Sequence, residues 1–138
     1  MSNSTTLAGG CSCRNIRYKL KASPLIVHAC HCRDCQRMTG GPYTPVFYVP
    51  AKAFKITKGS PGYYNTSSDA MGDNQRGFCP QCGSRLFGGK TEHGQGITAS
   101  SLDDPSLYKP QFEIWTSDAQ PWDQMNRKLP KFEQYAPS

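Results

Sequence analysis

Apolar and polar positions alternate over short stretches of this chain. In residues 15–20 (NIRYKL), Ile16, Tyr18 and Leu20 fall between polar neighbours, which is the two-residue period of a strand with one buried face. Residues 24–30 (PLIVHAC) are β-branched and apolar. Residues 44–50 (TPVFYVP), 54–59 (FKITKG), 62–67 (GYYNTS), 76–79 (RGFC), 84–89 (SRLFGG), 96–102 (GITASSL) and 113–117 (EIWTS) read as further short strands separated by Gly, Pro and Asn. Strands at this spacing predict a mainly β fold of short antiparallel strands with little helix. One helical turn is expected, over residues 33–38 (RDCQRM), and the Pro-containing stretch 121–138 is expected to wrap the body as coil. There is no internal repeat, low-complexity segment or linker, so residues 1–138 are expected to form a single domain.

Composition narrows the class. The 138 residues carry 19% charged and 36% hydrophobic side chains, with 13 Gly and 11 Pro, a turn-rich globular balance. The net charge of +6 is compatible with nucleic acid or with a small acidic ligand. The basic residues are scattered, however, and no aromatic-basic platform for nucleic acid is visible. The N-terminus, MSNSTTLAGG, has neither the basic start nor the apolar stretch of a signal peptide. No apolar run approaches a membrane span. The sequence therefore reads as that of a soluble cytoplasmic protein, in a compartment where clustered cysteines serve metals or catalysis more often than disulfides.

The seven cysteines fall into three groups: Cys11 with Cys13; Cys30, Cys32 and Cys35; and Cys79 with Cys82. A C-x-C pair in extended backbone presents two sulfurs on one side, and a C-x-x-C loop converges two at a tight turn, where Gly83 suits the chain reversal. Zinc is the expected metal, because it accepts thiolates without redox chemistry. Spacing permits two partitions. Cys32 and Cys35 could join Cys79 and Cys82, leaving three cysteines over. Alternatively Cys11, Cys13, Cys79 and Cys82 form one closed site, and Cys30, Cys32 and Cys35 a second with an open position. His31, between two ligands, should face away from them. His28 and His93 read as ordinary histidines. Arg14, Arg17, Arg33, Arg37 and Arg76 read as solvated, although Arg33 and Arg37 flank the dense cluster and could hold an anion there.

The segments GGCSCRNIRY, CHCRDCQRMTGG, RGFCPQCGSRLF, SLDDPSLYKP and PWDQMNRKLPKF, spread from about Gly9 to Phe132, resemble in order the glutathione-dependent formaldehyde-activating enzyme family. The resemblance implies an Mss4-like β fold with two zinc positions and favours the second partition. Cys11, Cys13, Cys79 and Cys82 match the structural site, and Cys30, Cys32 and Cys35 the site of chemistry. It implies a carbon–sulfur lyase that joins formaldehyde to glutathione, or acts on a related thiol adduct. Arg33 and Arg37 then become candidates for the carboxylates of a glutathione-like thiol, and Tyr43, Tyr48 and His31 for the proton donor. Two residues depart from the family pattern: Glu113, where many members carry His, and Arg14, where Gly is common. The alternatives are a zinc-stabilised binding module and, more remotely, a methionine sulfoxide reductase, for which no cysteine is spare.

Overall fold

The structure is a computed structural model that describes residues 6–21, 26–68, 72–92 and 94–137. His93 and the first two residues of the strand expected at 24–30 lie outside these. Among the described residues, ten strands form two sheets. The smaller holds β1 (Thr6–Gly10), β2 (Arg17–Lys21) and β5 (Phe54–Lys58), in the order β1-β2-β5. The larger is built from β3 (Ile26–Cys30), β4 (Thr44–Pro50), β6 (Gly62–Ser68), β7 (Gly72–Phe78), β8 (Arg85–Gly88), β9 (Gly94–Thr98) and β10 (Phe112–Ile114). Its order is β10-β3-β4-β9-β8-β7-β6. All pairings are antiparallel except β10 with β3, which run parallel with Ile114 opposite Cys30. The mainly β class expected from alternation is the class observed, with this one parallel edge added.

Alternation decides what each face of the large sheet does. Val27, Phe47, Val49 and Ile97 point toward the small sheet, where they bury with Ile16, Tyr18, Leu20, Leu86 and Phe87. Burying one such side chain contributes about 1.5–3 kcal/mol. Their neighbours Ile26, His28 and Cys30 on β3, with Thr44, Val46 and Tyr48 on β4, line a cavity on the opposite face.

The helix α1 (Arg33–Thr39) follows β3 directly. Cys32 is its N-cap, with Sγ accepting from the Cys35 N–H, and Gly40 at φ 73° closes it by donating to the Gln36 carbonyl. The buried Gln36 amide donates to the His31 carbonyl at 2.7 Å and the Asp118 carbonyl at 2.9 Å, which ties the helix to the C-terminal region. That region beyond β10 is largely coil, as expected, apart from a bridge between Glu113 and Lys131. No helix among the described residues is long and apolar enough to cross a membrane.

Candidate metal centres and an adjoining cavity

Two turns bring four cysteines together. Cys11 and Cys13 lie between β1 and β2, and Cys79 and Cys82 between β7 and β8; their sulfurs all lie within 4.8 Å of one another. Backbone amides turn toward this cluster: Ile16 N–H donates to Cys11 Sγ at 3.2 Å, and Cys82 N–H to Cys79 Sγ at 3.4 Å. Gly83 adopts φ 79°, so the chain can reverse after Cys82 without the strain a Cβ would bring. Arg14 adopts φ 67° in the matching turn although it has a Cβ. The Ser84 hydroxyl and backbone hold the Cys82 thiol down to about 5. Cys13 has a hydrogen bond with the Asn15 backbone, but desolvation and its thiol neighbours push it up to about 12. Four thiols this close oppose one another's ionisation, and a divalent cation would relieve that opposition.

The second cluster grows from the junction of β3 and α1. Cys30 ends the strand, Cys32 caps the helix and Cys35 sits in its first turn; all three are buried, with sulfurs within 4.8 Å of one another. Cys30 and Cys32 hydrogen-bond to Cys35 and hold its thiol well below the ordinary range, with Thr44 and the Arg76 charge adding to the effect. Contacts with Cys32 first and Cys35 second push Cys30 well up, with burial in support. Thus of the two partitions allowed by spacing, the structure assembles the four-plus-three arrangement. Both donor sets are entirely thiol, with no carboxylate or imidazole, and such soft ligands fit zinc.

Both clusters reach a cavity: Cys11 lines one of about 830 Å³ walled mostly by polar residues, and the three-cysteine set reaches another. Cys30 and Cys35 line a cavity of about 530 Å³ with Met38, His28, Tyr48 and Arg76. Of the candidate proton donors, only Tyr48 lines it, and its hydroxyl lies 2.7 Å from Thr91 Oγ1. Arg33 and Arg37 are exposed and do not line the cavity; the Arg33 guanidinium hydrogen-bonds the Gln36 amide oxygen. Arg76, read from sequence as solvated, is instead 2% exposed. Its Nη1 lies 3.9 Å from Cys35 Sγ and 3.3 Å from Met38 Sδ, and its Nε donates to Thr66 Oγ1 at 3.2 Å. His28, read as ordinary, stacks on Phe112 at 5.5 Å, and burial pushes its imidazole down to about 4. Nothing local in sequence marks Arg76, since 41 residues separate it from Cys35.

His31 faces away from the sulfurs, as its position between two of them predicts. It is fully buried, with Nε2 2.9 Å from Glu113 Oε1 and Nδ1 2.5 Å from Asp123 Oδ2. Lys131 Nζ lies 3.3 Å from Glu113 Oε2. This chain of polar contacts joins the cysteine loop to β10 and the C-terminal coil. It engages both ring nitrogens, so His31 is a poor proton donor to anything in the cavity.

A family model described as glutathione-dependent formaldehyde-activating enzyme matches residues 6–118. Two curated relatives carry the name "Putative glutathione-dependent formaldehyde-activating enzyme". The one from Aspergillus terreus (strain NIH 2624 / FGSC A1156) is 33% identical over 120 residues, 80% of this chain and 62% of the relative. The one from Talaromyces marneffei (strain ATCC 18224 / CBS 334.59 / QM 7333) is 30% identical over 112 residues, 78% of this chain and 59% of the relative. The chain thus spans about three fifths of the length of these relatives. A crystal structure of a Rhodobacter sphaeroides protein shares the fold, with a TM-score of 0.59 at 15% identity, over 75% of this chain and 97% of that one.

Proposed function

The chain belongs to the glutathione-dependent formaldehyde-activating enzyme family, and from that premise we propose that it is a zinc-dependent carbon–sulfur lyase acting on a glutathione-like thiol and formaldehyde, or on a related thiol adduct. The observation that carries the reading is the contrast between the clusters: Cys30 and Cys35 of the three-sulfur set form part of the wall of a 530 Å³ cavity, whereas the other set has four sulfurs and is closed by number. Cys11, Cys13, Cys79 and Cys82 would hold a structural ion, and Cys30, Cys32 and Cys35 the reactive one. Zinc held by three thiolates keeps one position for an added ligand and favours an incoming thiol in its ionised, nucleophilic form.

The chain's own residues then have distinct tasks. The cavity wall holds thiol and aldehyde together, which replaces a bimolecular encounter with an oriented one. The thiolate sulfur forms a bond to the carbonyl carbon, and the carbonyl π electrons move to oxygen, which takes a proton. Of the candidate donors, Tyr48 is the one among the cavity's lining residues, with its hydroxyl held against Thr91. In reverse, the hydroxymethyl oxygen loses its proton, the carbon–sulfur bond breaks, and thiolate and aldehyde leave. Arg33 and Arg37, outside the cavity, are left for the distal carboxylates of an extended thiol.

The test is exchange NMR with ¹³C-formaldehyde and glutathione on zinc-loaded protein. Wild type should accelerate S-hydroxymethylglutathione formation above the uncatalysed rate, and Cys32→Ser should abolish that gain while keeping its circular dichroism. No acceleration with glutathione or with smaller thiols would overturn the reading.

A further inference from the structure

Two polar atoms in the cavity wall have no partner. Arg76 Nη2 and His28 Nδ1 are both buried without a hydrogen bond, and both residues line the cavity. A buried donor left unpaired is destabilising, and each instance requires a cause. For Arg76 the omission is selective. Nε has a hydroxyl acceptor, Nη1 faces two sulfurs, and Nη2 alone is vacant. Sulfur accepts weakly, so the guanidinium is under-satisfied on the side facing Met38 and Cys35. There is room for an acceptor. Gly88 lines the same wall, and a Cβ there would meet nothing nearer than Arg76 Nη1 at 3.5 Å. The other charges in the wall, Asp73 and Lys90, are exposed and opposite in sign. Arg76 is therefore the buried charge that a ligand would meet.

We infer that Arg76 is a specificity-determining residue that binds a carboxylate carried close to the substrate sulfur, so that among small thiols the cavity favours anionic ones of the mercaptocarboxylate type. The inference rests on the proposed binding of a thiol at Cys30, Cys32 and Cys35 and deepens it. Nη1 lies 3.9 Å from Cys35 Sγ, so a carboxylate on the guanidinium is within a few bonds of a sulfur placed among those cysteines. The planar guanidinium suits a carboxylate, which can accept from two of its N–H groups at once. His28 Nδ1, on β3, is the second unpartnered polar atom in the same wall. The three-thiolate site disfavours anions: with one Zn²⁺ it carries a net negative charge. A preference for an anionic thiol would thus oppose the metal site's own field, which makes it diagnostic of Arg76.

The experiment is calorimetric titration of the zinc-loaded protein at fixed ionic strength with mercaptoacetate, 2-mercaptoethanol, cysteamine and propionate. The expected result is that mercaptoacetate binds at least tenfold more tightly than the neutral and cationic thiols. Arg76→Gln should erase that margin, so that mercaptoacetate binds the variant no more tightly than 2-mercaptoethanol does. If Arg76→Gln does not fold, the wild-type series decides alone. Equal affinity for the three thiols in wild type overturns the role of Arg76 and leaves thiol binding at the cysteines standing. Propionate binding that is lost in Arg76→Gln, with no gain from adding a thiol, supports the carboxylate site and overturns thiol binding at the cysteines. Absence of binding by all four overturns both.

Discussion

Replacing Glu113 with Leu removes a carboxylate whose side chain is 4% exposed and keeps a side chain of comparable bulk. His31 Nε2 then loses its acceptor at 2.9 Å, inside a site where water cannot substitute. Leaving a buried donor without its acceptor costs about 1–3 kcal/mol, and more when the lost partner is a carboxylate. Asp123 still accepts from Nδ1 at 2.5 Å, so the loss is confined to one hydrogen bond and is expected to be about 3 kcal/mol. For a chain of this size that corresponds to a fall in Tm of roughly 10 °C. Lys131 provides the internal comparison. It is 30% exposed and donates to the Leu129 carbonyl at 3.0 Å as well as facing Glu113. Its removal in Lys131→Met should cost no more than about 1 kcal/mol, as for other solvent-accessible pairs. Urea unfolding followed by circular dichroism, at matched metal content, measures both. A Glu113→Leu loss below 1 kcal/mol, or one no larger than that of Lys131→Met, would refute the claim that His31 depends on this carboxylate.

Cys79→Ser should remove about one zinc equivalent per chain and lower Tm sharply, because metal binding at a closed thiolate site is folding free energy; chelator titration with calorimetry checks both. Arg14→Gly should stabilise by about 0.5–1 kcal/mol, since relief of an L-residue at φ 67° outweighs the added freedom of the unfolded chain; denaturant midpoints decide the sign. Arg17 donates to Asp103 at 2.8 and 2.5 Å and holds its carboxyl below the usual range. A depressed carboxyl stabilises the fold above its unfolded value and ceases to do so as pH falls through the folded one. Asp103→Asn should therefore cost up to about 1 kcal/mol at pH 7 and low salt, the pair being exposed, and progressively less as the pH falls below the ordinary carboxylate range.

The parts of the fold that were legible in the sequence are those whose cause is local. The strand expected at 44–50 is Thr44–Pro50 as observed, because its alternating residues face two chemically different sides. β1 was not expected: TLAGG has no alternation, and Gly9 is there because a Cβ would come within 2.4 Å of the Tyr18 hydroxyl. The start of β7 was missed too, since Asp73, Asn74 and Gln75 are held in a strand by pairing with β6. The strands expected at 96–102 and 113–117 end early, at Thr98 and Ile114, where the chain tightens into 3-10 turns. The cysteine clusters were legible because C-x-C and C-x-x-C are chelating units within one turn. Arg76 was not, because an arginine in a polar strand looks solvated until another element covers it.

The tripeptide Cys30-His31-Cys32 shows how these two levels meet. Alternation sends the sulfurs to one side, toward Cys35, and the imidazole to the other, toward Glu113 and Asp123. The His31 N–H also donates to the Ile114 carbonyl at 3.0 Å, one residue past Glu113. The backbone that positions the thiols is thus clamped from behind by β10 through both main chain and side chain. A site built this way separates its failures. Serine at Cys32 removes a ligand and leaves the clamp, so chemistry should disappear first. Leucine at Glu113 leaves every sulfur and loosens their support, so stability should fall first and metal retention should follow it. A Glu113 variant that lost activity at full stability would mean that the imidazole takes part in the reaction, against the geometry that places it behind the cysteines.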